Sequence, residues 1–285
     1  MNLLQLKNSF FKKLISFSSL IALFSFPVIL SANENDPCPA DGTKTKAQMN
    51  TLFSGNSGAC MVTPDKYELT IYELGLCTSL PITGDAGLKV ADYSSCVVTM
   101  ESAAGATADL AGSTPVILPA AAGRPPNATY PYAYIIIGKT FGLKGSYKLS
   151  DVANRYNSAT NGTLSSSNAT AAAHTFNLTS FGDDLANWAD GEDAEYGPES
   201  MGTGSVSALL INNGNTRSAN AGAVTRLLGV FSANAGNSVV IDDSSVGLQV
   251  ELKIKDAGYM VQFDNSGAPN AAISGPFVPE FTIFE

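Results

Sequence analysis

The chain has 285 residues, of which 45% are hydrophobic and 14% charged, with 25 acidic residues against 16 basic ones and a formal net charge of −9. That hydrophobic fraction excludes a disordered acidic chain, and the negative balance argues against nucleic acid or anionic membranes as partners. A single histidine and four cysteines leave little material for imidazole- or thiolate-based chemistry.

Residues 1–32 read as a secretory signal peptide. Lys7, Lys12 and Lys13 form a basic start, residues 14–30 are apolar apart from a few serines and Pro27, and Ser31-Ala32 is a small-residue exit. A spanning helix needs about 20 apolar residues, and this run is shorter and interrupted. The expectation is a secreted or cell-surface protein, with the periplasm also open, and no transmembrane anchor after cleavage. Without residues 1–32, which hold three of the 16 basic residues and none of the 25 acids, the formal charge falls from −9 to −12.

The cysteines, Cys38, Cys60, Cys77 and Cys96, all lie early in the mature chain. An even count in an exported protein favours disulfides. The expected pairing is sequential, Cys38–Cys60 and Cys77–Cys96, each closing a loop worth roughly 3 kcal/mol. Residues 33–100 are therefore read as a disulfide-stapled N-terminal part of a β domain. Residues 101–285 are read as its main body, with long surface loops at 101–126 and 157–173, where Ala, Gly, Ser and Asn dominate.

Helix signals are few: residues 44–52, and a turn or two over 183–189. Strands are expected at 67–74, 97–101, 130–137, 146–149, 174–178, 206–211, 224–231, 238–241 and 281–284. The clearest strand is 246–255, where Val246, Leu248, Val250, Leu252 and Ile254 alternate with Gly or polar residues. Asp256-Ala257-Gly258 then predicts a hairpin to 259–264. Many short strands and little helix give a mainly β fold, an antiparallel β-sandwich or jelly roll. The C-terminal strand carries apolar residues on both faces, so it either closes its own sheet or completes a neighbour's.

Six carboxylates lie within residues 183–195. Asp190, Glu192, Asp193 and Glu195 are candidate calcium ligands, because calcium takes several hard oxygens from such loops. Calcium is the only cofactor suggested. Trp188 is a candidate sugar-stacking residue, as are Tyr130, Tyr132 and Tyr134, whose alternation puts them on one face of a strand. The carboxylates also allow a glycosidase pair, but nothing in the sequence sets them across a cleft. His174, the one histidine, reads as a strand residue facing solvent or making a single hydrogen bond. No residue is assigned a catalytic role.

The reading is an exported structural protein, a self-associating subunit of a filament, layer or adhesive appendage. A glycan- or ligand-binding β-sandwich module is the alternative, and a secreted carboxylate-dependent glycoside hydrolase the second. Mass spectrometry of the exported protein is expected to find a new N-terminus between about residues 30 and 35; an intact Met1 contradicts the leader.

Overall fold

The computed structural model describes residues 36–112, 118, 124–182 and 185–285. The predicted leader and its cleavage point lie outside the described residues. The first element is the helix α1, Lys46–Leu52, opened by a reciprocal cap. The Thr45 hydroxyl accepts the Gln48 N–H, and the Gln48 side chain accepts the Thr45 N–H.

The strands follow in chain order. They begin with β1 (Gly58–Val62), β2 (Lys66–Cys77), β3 (Ile82–Thr83), β4 (Val90–Ala91) and β5 (Cys96–Asp109). Next come β6 (Ala128–Tyr130), β7 (Tyr132–Gly138), β8 (Thr140–Lys144), β9 (Ser146–Tyr147), β10 (Tyr156–Ser158), β11 (Leu164–Ser166) and β12 (His174–Asn177). The rest are β13 (Glu195–Met201), β14 (Gly204–Ile211), β15 (Arg226–Ala233), β16 (Val239–Ile241), β17 (Gly247–Lys253), β18 (Tyr259–Phe263), β19 (Pro269–Ser274) and β20 (Val278–Phe284).

The main sheet is built around β2. Tyr67, Leu69 and Ile71 are buried and alternate with Glu68, Thr70 and Tyr72, the period of a strand with one covered face. Ile71 pairs with both Ala106 of β5 and Ile137 of β7, so those strands lie on opposite edges of β2. β8 shares the β7 edge, pairing at Lys66 to Glu68. Beyond β7 come β15, β14 and β13, and beyond β8 comes β12. β5 therefore ends the sheet on one side, and β12 and β13 on the other. All these pairings are antiparallel.

A second layer, β1-β18-β19 with α1, is tied by aromatic rings to its own helix and to the small sheet β11-β10-β9. Phe263 meets Phe53 at 5.3 Å between centroids and Tyr147 edge-on at 5.7 Å. Tyr67 joins the layers, its hydroxyl bonding Ser274 and the Gly275 carbonyl. A smaller core of Leu76, Tyr130, Ala133, Val239 and Ile241 is covered by the ribbon β17–β20 through Leu248, Phe281 and Ile283. The fold is mostly antiparallel β and sandwich-like.

Both disulfides have the sequential pairing, Cys38–Cys60 and Cys77–Cys96. They indicate an oxidising, extracytoplasmic environment. No helix among the described residues is long and apolar enough to cross a membrane, a statement about helices only.

Several expectations are corrected. The hairpin joining 246–255 to 259–264 does not form. The turn itself exists, with Asp256 and Gly258 at positive φ and the Ala257 N–H bonded to the Ile254 carbonyl. It hands the chain to another layer, where Gly258 N–H bonds the Pro276 carbonyl. β17 instead pairs with β20, matching Leu248, Val250 and Leu252 with Ile283, Phe281 and Pro279. β18 pairs with β1 and β19.

The loop expected from 101 begins only after Asp109, because β5 continues along β2 through its small residues. The loop expected at 157–173 contains part of β10 and all of β11, with Leu164 buried. The strand expected at 130–137 breaks at Pro131, which cannot donate to a ladder. The helical turn expected at 183–189 is a series of bends over its described part, 185–189.

Each disulfide closes a short loop, with sequence separations of 22 and 19. Replacing Cys77 and Cys96 together by serine is expected to cost about 2–5 kcal/mol in a denaturant titration. Thiol labelling of the denatured, unreduced protein should find no free cysteine.

Candidate functional site

The acidic segment folds as a capped turn. Residues Gly191–Ala194 form a 3₁₀ helix with Asp190 as its N-cap. The Asp190 carboxylate accepts the Glu192 N–H at 2.8 Å, and Asp193 accepts the Ala189 and Asp190 N–H groups. Asp193 is buried, and Gly182 packs so closely that a Cβ there would lie 1.9 Å from its Oδ1. Two of the predicted calcium ligands thus serve the backbone of their own turn.

Glu195 points elsewhere. Its side chain is 5% exposed and meets Arg217, itself 18% exposed, in an ion pair. Both residues grip the loop inside the Cys77–Cys96 bridge. Glu195 accepts the Gly87 N–H at 3.0 Å and the Lys89 N–H at 2.9 Å. Arg217 donates to the Gly87 carbonyl at 2.9 Å, the Lys89 carbonyl at 2.8 Å and the Gly191 carbonyl. The pair therefore satisfies donor and acceptor of two backbone units and pins the loop against the acidic turn. Gly191 is required by this approach, since a Cβ would stand 2.1 Å from the Gly87 oxygen.

Burial opposes ionisation of Glu195. The Arg217 hydrogen bond, the Gly87 and Lys89 N–H groups and the Arg217 charge outweigh it, and the carboxyl is held below the ordinary glutamate value. Glu192 is exposed. Asp190, Glu192, Asp193 and Glu195 do not converge, and among the described residues no group of three or more His, Cys, Asp or Glu is placed to hold a metal ion. Nor are these carboxylates set across a cleft.

Trp188 is half-buried against the main core, its indole N–H bonded to the Thr179 carbonyl at 2.8 Å. The three tyrosines do not form one stripe. Tyr130 is buried in the small core and bonds the Pro126 carbonyl. Tyr134 is buried in the large core and bonds Glu73. Burial and that carboxylate push the Tyr134 hydroxyl well above the ordinary tyrosine value. Tyr132, between them, is half-buried. Two open clefts, about 360 and 480 Å³, lie elsewhere, and neither is lined by a predicted site residue.

His174 does not face solvent. It is buried with both ring nitrogens unpaired. Arg217 and the 87–89 loop were invisible as a site in the sequence. Arg217 stands alone in a polar stretch, and its partners are backbone groups, which carry no residue signature. No protein-family model, curated protein or solved structure matches the chain.

Arg217→Ala leaves the buried Glu195 carboxylate with only the Lys89 ammonium, 3.6 Å away, as a cation and is expected to cost about 2–3 kcal/mol in denaturant unfolding. A carboxyl with a depressed folded pKa stabilises the protein above its unfolded pKa, and that contribution is lost as pH falls through the folded one. The Glu195 contribution should thus be complete above about pH 4.5 and fade below it. Glu195→Gln should flatten that acid limb of the stability curve.

Proposed function

We propose that the protein is an exported structural component of a cell surface or extracellular layer, filament or appendage, whose copies join through sheet edges. The observation that carries this reading is β5. It runs for 14 residues, Cys96–Asp109, and among the described residues it pairs only with β2. Its outer edge presents backbone donors and acceptors in two stretches, 96–101 and 106–109, on either side of a bulge at 102–105, and each stretch is a template for another strand.

Natural edges are blunted by charge, proline or shortness. Here Glu101 is the only charged residue between Cys96 and Asp109, and Ala103 and Ala104 are exposed. On the other side of the sheet β13 carries Pro198 as well as a bulge between Tyr196 and Glu199, and β12 is only four residues long, so β5 is the longest edge without proline. The accessible β5 edge favours pairing of β5 with β5 about a twofold axis, which gives a closed dimer as the building block; a layer or filament then needs a second contact between dimers.

Analytical ultracentrifugation of the mature protein is expected to show a concentration-dependent monomer–dimer equilibrium as the first step of assembly. Ala103→Lys with Ala104→Lys places two cations in the exposed bulge midway along this edge. It should weaken association by about tenfold or more while leaving stability within roughly 0.5 kcal/mol, as exposed substitutions do. A wild-type protein that stays monomeric at high concentration, or a variant that assembles equally well, contradicts the reading.

A further inference from the structure

His174 opens β12, the four-residue strand that lies outside β8. It pairs with Leu143 of β8. Its residual exposure is 5%, and neither ring nitrogen has a protein partner in hydrogen-bonding geometry. The ring of Tyr259 lies beside it, centroids 6.1 Å apart, and the buried Tyr259 hydroxyl lies near the Ser158 side chain without a bond in good geometry. Gly162 closes another side, where a Cβ would sit 3.2 Å from the imidazole Cδ2.

A buried imidazole without partners is tolerable when neutral and far more costly when charged. Burial accordingly pushes the His174 pKa below the ordinary histidine value, against a smaller opposing pull from the Ala272 carbonyl. On the packed elements the titratable and charged groups are three. Tyr259 on β18 touches the ring. Asp65, just before β2, acts on the Tyr259 hydroxyl. Lys144 on β8 follows the Leu143 that pairs with His174. Strand β19 and residues 159–163 carry no titratable side chain.

We propose that His174 is an acid-operated latch on the sheet edge: when its ring takes a proton from solvent it leaves the core, β12 detaches from β8, and the β8 edge opens. The strand suits this role. It is short, among the described residues β8 is its only ladder partner, and Thr175 and Asn177 are already exposed. Opening such an edge costs less than unfolding the sheet. The latch does not depend on whether copies associate through β5.

The direction in pH follows from linkage. A depressed histidine pKa leaves the closed state fully stabilised above the free-histidine value, about 6.5, and progressively less as pH falls below it. The opening constant should rise by up to about tenfold per pH unit in that window. The Glu195 effect begins lower, below about pH 4.5, so the two separate.

The test is amide hydrogen exchange by NMR on the mature protein, held dilute, between pH 7.5 and 5. Protection factors at Phe176 and Leu178, whose N–H groups face β8, should fall with the slope above, while Leu209 and Leu228 stay protected. His174→Phe should remove the pH dependence. Because the chain has one histidine, its ring resonance titrates without ambiguity in the wild type, and its midpoint is expected below the free-histidine value. A midpoint at or above that value overturns the latch. So does protection lost evenly across the sheet, or a His174→Phe protein with an unchanged pH response. If His174→Phe does not fold, the wild-type titration and exchange pattern still decide.

Discussion

The fold depends on one strand having both of its edges occupied. β2 bonds β5 along one side and β7 and β8 along the other, so its backbone groups are almost entirely spent inside the sheet. A buried strand cannot leave such groups unpaired without a cost comparable to losing each bond. Its side chains then determine what can sit above and below. Tyr67 is the clearest case. It is fully buried, burial drives its hydroxyl pKa far above the ordinary value, and its neutral hydroxyl links the main sheet to the turn after β19.

Local pattern was legible in the sequence, and partner choice was not. The alternation at Leu248, Val250 and Leu252 does mark a strand with one covered face. The turn at 256–258 also exists. What the chain does after that turn depends on residues 276–284, whose fit to β17 is a long-range matter of shape and register. Composition misled in the opposite sense at 103–109. Small residues there resemble a loop, and 103–105 do bulge from the ladder, yet any residue can extend a ladder once a neighbour offers its edge, and β2 does so for 106–109.

The acidic segment shows the same division. A cluster of carboxylates in one dimension suggests a cation, whereas in three dimensions most of its ligands are N–H groups. Asp193 and Glu195 are two residues apart but serve different partners, one its own turn and the other a loop more than a hundred residues upstream. The pairing of cysteines was readable because loop closure favours short spans. The Glu195–Arg217 pair was not, because an ion pair has no preferred spacing.

The Cys77–Cys96 bridge joins two residues that stand directly opposite each other in the β2–β5 ladder. A slip of one residue between these strands would turn every β5 side chain to the wrong face. β5 is rich in alanine, glycine, serine and threonine, so its side chains discriminate poorly between registers, and the ladder already contains two irregularities. The covalent bond supplies the information those side chains lack. It acts as an alignment mark, formed between neighbours in sequence, that fixes the frame in which the more distant strands dock.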